Sequence, residues 1–324
     1  MSTHAQGVML PRDVPAPLIV EFARRAERLG FDELWVVEDL QFRGGIAQAG
    51  VVLTATERIR VGIGILPAAV RNVAFTAMEI ATLAQLFPGR VDAGIGHGMP
   101  GFLQQVGAWP ERPLAFLRSY VTALRGLLRG ETVDSDAPVV LNGLALDPSA
   151  VPDVAPDLLL GVRGPRSLAA SGRVADGTVL AEPTTPEYAR AALERIAATR
   201  PHRLVAYNVA YVADDDATAL AAVRPGLEWI GEPDWAPHIE PLDFAAEFAA
   251  LRADCADRRE FVERMPDAWV ARLALAGSPE TVGARVQELF DAGVTSSVMI
   301  PTGTDALSAL ESLARALPVG QSAR

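Results

Sequence analysis

GIGHGMPG runs from Gly94 to Gly101, and its Gly96, Gly98 and Gly101 fall in the G-x-G-x-x-G spacing. That spacing is the fingerprint of a dinucleotide-binding Rossmann turn. Such a turn follows the first strand of its domain, opens a helix, and has an acid about 20 residues further on to hold a ribose. Here the glycines follow the fourth apolar run of the chain, Val91 to Ile95. Pro100 is read as interrupting the helix at its start, and no acid occurs between Glu111 and Glu131. The Rossmann reading therefore fails, and the glycines need another explanation.

The surrounding pattern supplies one. Short apolar runs alternate with helical stripes along the whole chain. The runs are Gly7–Leu10, Glu33–Glu38, Ile59–Leu66, Val91–Ile95, Asp157–Gly161, Thr178–Ala181, Leu204–Val212 and Ser297–Ile300. Runs such as LLLGV and SVMI are continuously apolar, as strands covered on both faces of a parallel sheet are. Helices are expected from Pro15 to Gly30, Ile46 to Ala55, Asn72 to Phe87, Pro113 to Leu128, Pro165 to Ala175, Pro186 to Thr199, Pro279 to Ala292 and Thr304 to Leu317, with another capped by Asp214–Asp216. Eight βα units closing on themselves make an α/β fold, the (β/α)8 TIM barrel with helical insertions. A Pro/Asp-rich excursion occupies Asp134–Pro156, and an inserted helical segment occupies about 232–276. The reading is of one domain over 1–324.

Composition narrows the function. The chain has 324 residues, half of them apolar, and a net charge of −11, which argues against nucleic acid and anionic membrane as partners. No apolar run approaches the roughly 20 residues of a membrane span. The start, MSTHAQG, lacks the pattern of a signal peptide, so a cytoplasmic protein is expected. A single cysteine, Cys255, rules out an internal disulfide. His4, His202 and His238 share no metal-ligand spacing, and no metal is expected. All 29 basic residues are arginine; Schiff-base chemistry and a phosphate-binding lysine are excluded.

In a barrel of this type the site lies at the C-terminal strand ends. Glu38 and Asp39 end the second strand, Gly64 and Ile65 lie near the end of the third, and Gly96, His97 and Gly98 follow the fourth. Glycines there let backbone approach a flat ligand. After the fifth strand, Gly161-Val162-Arg163-Gly164-Pro165-Arg166-Ser167 offers arginines and a helix N-terminus, an anion site.

FARRAERLGFDELWVVEDL, ATERIRVGIGILP, AMEIATLAQLFPGRVDAGIGHG and LLLGVRGPRSLAASGRVADGTVLAE, in this order, resemble the bacterial luciferase-like flavin oxidoreductase superfamily. Within it they are most similar to the deazaflavin-dependent branch of methylenetetrahydromethanopterin reductase-like proteins. The resemblance covers nearly the whole chain and implies a TIM barrel that binds coenzyme F420, or alternatively FMN, at its mouth. It implies a non-prolyl cis peptide at Gly64-Ile65 backing the ring. Phosphate contacts fall on the Val162–Pro165 loop and on Glu182-Pro183-Thr184. It further implies hydride transfer to a C=C, C=N or C=O bond of a small organic substrate, with an FMNH2-dependent monooxygenase and a non-catalytic barrel as the alternatives. A homodimer is carried over from the family. Asp39 and His97 are the candidates for moving the proton, Asp39 as an acid if it is buried. Relatives that oxidise sugar phosphates carry histidine at the position of Asp39 and glutamate at that of Met99, so sugar-phosphate oxidation is not expected. Trp229, Trp235 and Trp269 in the insertion are expected to lid the pocket, pack between subunits or fill the insertion's core.

Overall fold

Strands come first from the apolar runs, and parallel pairing follows because each is returned to the same end by a helix. The computed structural model describes residues 4–318; the ends of the 1–324 domain lie outside them, as do the first three residues of the N-terminal stretch MSTHAQG. In chain order the first half is β1 (Ala5–Met9), α1 (Ile19–Leu29), β2 (Glu33–Val36), α2 (Gly45–Ala55), β3 (Arg60–Pro67), α3 (Val73–Leu86), β4 (Val91–Gly96), α4 (Pro100–Gln105) and α5 (Pro113–Leu128). Then follow β5 (Val133–Ser135), β6 (Leu141–Leu144), β7 (Asp157–Gly161), α6 (Pro165–Val174), β8 (Gly177–Leu180), α7 (Pro186–Ile196) and β9 (Arg203–Val212). The last part holds α8 (Asp216–Val223), α9 (Ala236–Ile239), α10 (Ala245–Asp254), α11 (Arg258–Arg264), α12 (Asp267–Leu273), β10 (Leu275–Gly277), α13 (Pro279–Asp291), β11 (Ser296–Pro301) and α14 (Ala306–Ala314).

The ring β1-β2-β3-β4-β7-β8-β9-β11 closes through β1–β11 and β8–β9, all parallel. It is a closed eight-stranded (β/α)8 barrel. The expected eight runs are its eight strands. Three strands were not expected. β5 and β6 form an antiparallel hairpin within the Pro/Asp-rich excursion. β10 lies at the end of the segment expected to be a helical insertion and pairs with the upper half of β9, Leu275 beside Ala210. The second strand stops at Val36 rather than Glu38, because the Gln48 side chain takes the Val37 carbonyl (3.0 Å) and turns the chain out of the sheet. Pro100 does not interrupt a helix. It is the first residue of α4, where a missing N–H costs nothing.

The lumen is layered. At its N-terminal end Arg203 bridges Glu33 (2.9 Å) and Asp92 (2.8 Å), both fully buried, and Asp157 (3.1 Å). Above lie Trp35, Leu159, Val205 and Val298, with Tyr207 packed edge-on to Trp35. The Trp35 ring occupies the space beside Gly62, where a Cβ would lie 2.3 Å from it. The helices pack their apolar stripes on the outside of the strands; α1 buries Ile19, Phe22, Ala23 and Ala26 and ends on Gly30 at φ 94°. The insertion has its own core, in which Trp269 stacks on Phe244 (4.9 Å) and Cys255 is buried.

Candidate active site at the barrel mouth

A cavity of about 1500 Å³ opens at the C-terminal strand ends. Its floor includes Gly64, Ile65, Val179 and Tyr207. The Gly64–Ile65 peptide is cis, and the β3–β4 register breaks between Ile63 and Leu66. The glycines of β4 and β7 explain where the Ile65 side chain goes. A Cβ on Gly161 would lie 2.5 Å from Ile65 Cγ2, one on Gly94 3.1 Å from it, and one on Gly96 3.0 Å from Ile65 Cδ1. Gly96 would also meet the Gly161 carbonyl at 2.8 Å. Gly96 therefore makes room for Ile65 and for β7, and is not itself in the wall of the large cavity; Ile65, not bare backbone, is the surface on which a flat ligand would rest. Gly98 does line the cavity, and its φ of +72° is the left-handed turn that favours glycine.

The walls come from the loops at the C-terminal strand ends. His97 projects from β4, its Nε2 3.4 Å from Ser167 Oγ, and burial lowers its pKa, so the ring is neutral at neutral pH. After β7, Gly161, Val162, Arg163, Gly164 and Arg166 line the cavity, while Pro165 starts α6 and is not in the wall. No side chain caps α6, so the first N–H groups of the helix lack partners within it. A Cβ on Gly164 would meet nothing within 4 Å. Arg163 turns to the insertion, donating to the Asp234 carbonyl (3.3 Å) and lying 4.4 Å over the Trp235 ring. Arg166 and Arg112 line the cavity without a side-chain partner among the described residues.

Both acids at the end of β2 line the cavity, and both are engaged. Glu38 is gripped bidentately by Arg71 and accepts from the Gly45 N–H (2.7 Å) at the start of α2. Asp39 pairs with Arg12 (2.8 Å), which also lies over Phe42, and its side chain is 30% exposed. The burial that the acid role assumed for Asp39 is absent. Thr184 faces away from the mouth: it is buried, its hydroxyl donates to the Ala181 carbonyl (3.0 Å) and its backbone is held by Asn208. Its hydroxyl and its backbone N–H are both engaged within the protein, which speaks against the phosphate contact expected there. Glu182 does line the cavity.

Some wall residues were not found from the sequence. Arg12 closes the first βα loop, and Tyr207 is a lumen position two residues beyond Val205 on β9; strand alternation was the signal for Tyr207. Its hydroxyl is buried with no partner among the described residues. Trp229 and Trp235 from the insertion complete one side. Among the described residues no cluster of His, Cys, Asp or Glu could hold a metal ion, and no helix is long and apolar enough to cross a membrane.

The family model described as luciferase-like monooxygenase matches residues 1–296. The chain belongs to that family. As such it is an oxidoreductase by descent, with the expected barrel. It is 29% identical to a 5,10-methylenetetrahydromethanopterin reductase of Methanolobus tindarius over 89% of this chain and 91% of the relative. An F420-dependent glucose-6-phosphate dehydrogenase of Mycobacterium avium is 30% identical over 90% of both chains. In structure the luciferase-like chain resembles the coenzyme F420-dependent tetrahydromethanopterin reductase of Methanopyrus kandleri, with a TM-score of 0.77 at 22% identity, covering 96% of this chain and 97% of the other.

Proposed function

We propose that the protein is a coenzyme F420-dependent reductase acting on a small organic substrate. The observation that carries the reading is the pairing of an apolar floor with an anion-binding rim. Ile65 and Val179 offer a surface for a flat ring. The uncapped α6 and the unpaired Arg166 offer donors for a phosphate in a chain without lysine. The cavity exceeds the roughly 300–1000 Å³ of an ordinary ligand pocket, leaving volume for a substrate beside a cofactor. The residues present thus fit the group, and the dehydrogenase and the solved reductase whose names carry F420 favour the deazaflavin over FMN.

When bound in its reduced form, the deazaflavin supplies a hydride. The chain's residues do the rest. Ile65 sets the height of the ring's seat, Arg166 and the α6 N–H groups fix its charged end, and Trp229 and Trp235 reduce water access from the insertion side. His97, neutral and held near Ser167, can donate or accept one hydrogen bond at the rim. Asp39 and Met99 stand where sugar-phosphate oxidisers carry other residues, so glucose 6-phosphate is not the proposed substrate.

Titration of the purified protein with coenzyme F420 and with FMN, followed by tryptophan fluorescence, tests the cofactor. The reduced forms are then offered with ketones, imines and enones, with and without oxygen. F420 binding and oxygen-independent reduction are expected. Turnover only with FMNH2 and oxygen would replace the reading with a monooxygenase; binding of neither would make the protein a non-catalytic barrel.

We also propose that a second copy of the chain covers the outer face of α2 and α3. α2 carries no charged residue and α3 only Glu79, yet Val51, Phe75, Met78 and Leu86 stand exposed there. A helix apolar on every side is normally buried. Light scattering of the wild type and of Phe75→Glu tests it; a dimer that the charge splits is expected, and a wild-type monomer refutes it.

A further inference from the structure

Glu182 stands out among the carboxyls of the mouth. Glu38 is held by Arg71 and Asp39 by Arg12, Asp13, Glu111 and Asp234 are exposed on the rim, and Glu228 lines the cavity from the insertion side, part-exposed beside Trp229. Glu182 lies deeper, two residues past the end of β8, and among the described residues its carboxyl has no partner beyond its own backbone N–H. The backbone beneath it is fixed from the insertion. Trp235 Nε1 donates to the Glu182 carbonyl (2.8 Å), and His238 Nδ1 donates to the Pro183 carbonyl (3.1 Å). The main chain is thus anchored while the carboxyl is left open to the cavity.

We propose that Glu182 touches the substrate and gives it the proton that completes the reduction. This rests on the reductase reading. In reduction of a C=O or C=N bond, the carbon receives a hydride, the reducing equivalent being the reduced deazaflavin. The Glu182 O–H bond breaks, its hydrogen forms the new O–H or N–H bond, and its electron pair stays on the carboxylate. Water reaching the mouth then returns the proton.

The surroundings suit an acid. Burial is the largest influence on Glu182 and raises its pKa; its own backbone N–H and then the charge of Arg163 lower it, Asp39 adds to the rise and Arg12 opposes it, with burial prevailing. The other titratable groups packed near it carry no charge at neutral pH. Tyr207 on β9 has its pKa pushed well up by burial, and His238 is pushed down to about 3 by burial and by Arg163.

The test combines a titration with kinetics. In protein carrying 13C-labelled glutamate, the infrared difference between wild type and Glu182→Gln isolates this carboxyl. A protonated band persisting above the ordinary glutamate range is expected; titration within or below that range overturns the proposal, with or without turnover. Coenzyme F420 affinity of Glu182→Gln should stay within about threefold of wild type, while kcat on the acceptor that wild type reduces falls by about 10²–10⁴-fold and the alkaline limb of its pH profile disappears. Glu182→Asp should recover part of the rate. An unchanged kcat, or a collapse of F420 affinity, overturns the proposal. Failure of the wild type itself to bind F420 overturns the reductase reading instead.

Discussion

Adding one methyl group at Gly161 probes how the floor of the mouth is built. The new Cβ would lie 2.5 Å from Ile65 Cγ2, more than 1 Å inside the ~3.5–4.0 Å of an ordinary carbon contact. Ile65 cannot retreat freely, because its Cγ2 and Cδ1 already abut Gly94 and Gly96. Overpacking of this kind costs about 1–3 kcal/mol. Ile65→Ala alone removes atoms from a half-exposed position and costs about 2 kcal/mol, the low end for core truncation. It also removes Cγ2, leaving Ile65 Cβ as the nearest atom of that side chain, 3.5 Å from the new methyl. In the Ile65→Ala background the Gly161→Ala change should therefore cost nothing, or stabilise by up to about 1 kcal/mol through reduced backbone freedom. Thermal melts of the four proteins measure this, at roughly 1.5 °C per kcal/mol for a chain this long. Gly161→Ala should lower the melting temperature of wild type by about 2–5 °C and lower that of Ile65→Ala no further. If the two losses add to within about 0.5 kcal/mol, the glycines are not there for Ile65 and the reasoning is wrong.

Other perturbations probe the remaining layers. Arg203→Met leaves Glu33 buried without a cation, while Asp92 keeps Arg60, and should cost about 3–5 kcal/mol. The pKa of Glu33 is already raised by burial, so its protonated form is the one favoured by folding. The deficit against wild type should thus be smallest in acid and grow as pH rises through the folded-state value, read as the difference in Tm across pH; a deficit that shrinks with rising pH refutes it. Tyr207→Phe removes a hydroxyl with no partner among the described residues, so the ligand-free protein should melt at the same temperature or up to a few degrees higher; a clear loss would reveal a partner. Arg166→Ala should weaken F420 binding by about tenfold or more, the value of a charge-assisted hydrogen bond, and equal affinity by fluorescence titration would remove Arg166 from the site.

The barrel was legible because its eight strands are buried on both faces and so spell continuous apolar runs. β5, β6 and β10 were not. They are short, and β10 is defined only by the free upper edge of β9, a tertiary fact. The site was legible as a set of strand ends, which placed Asp39, His97, Arg166 and Glu182 around one mouth. Their states were not, since each depends on a partner from a distant loop. Arg12 claims Asp39, Arg71 claims Glu38, and Asn208 turns Thr184 inward. The glycines of GIGHG misled in detail for the same reason. The atoms that crowd Gly94 and Gly96 belong to Ile63, Ile65 and Gly161, remote in the chain.

One consequence follows from β10 lying on the upper edge of β9. The chain leaves the barrel at the end of β9, traverses α8 to α12, and returns to pair with that same strand. The insertion is thereby a loop tied at both ends to one post. It cannot swing as a flap on two separated hinges. Movement of the segment as one body is opposed by Trp235 and His238, which hold the loop after β8. Exchange of this segment between relatives would then carry its own frame with it, altering which molecules fit while the barrel keeps its closure.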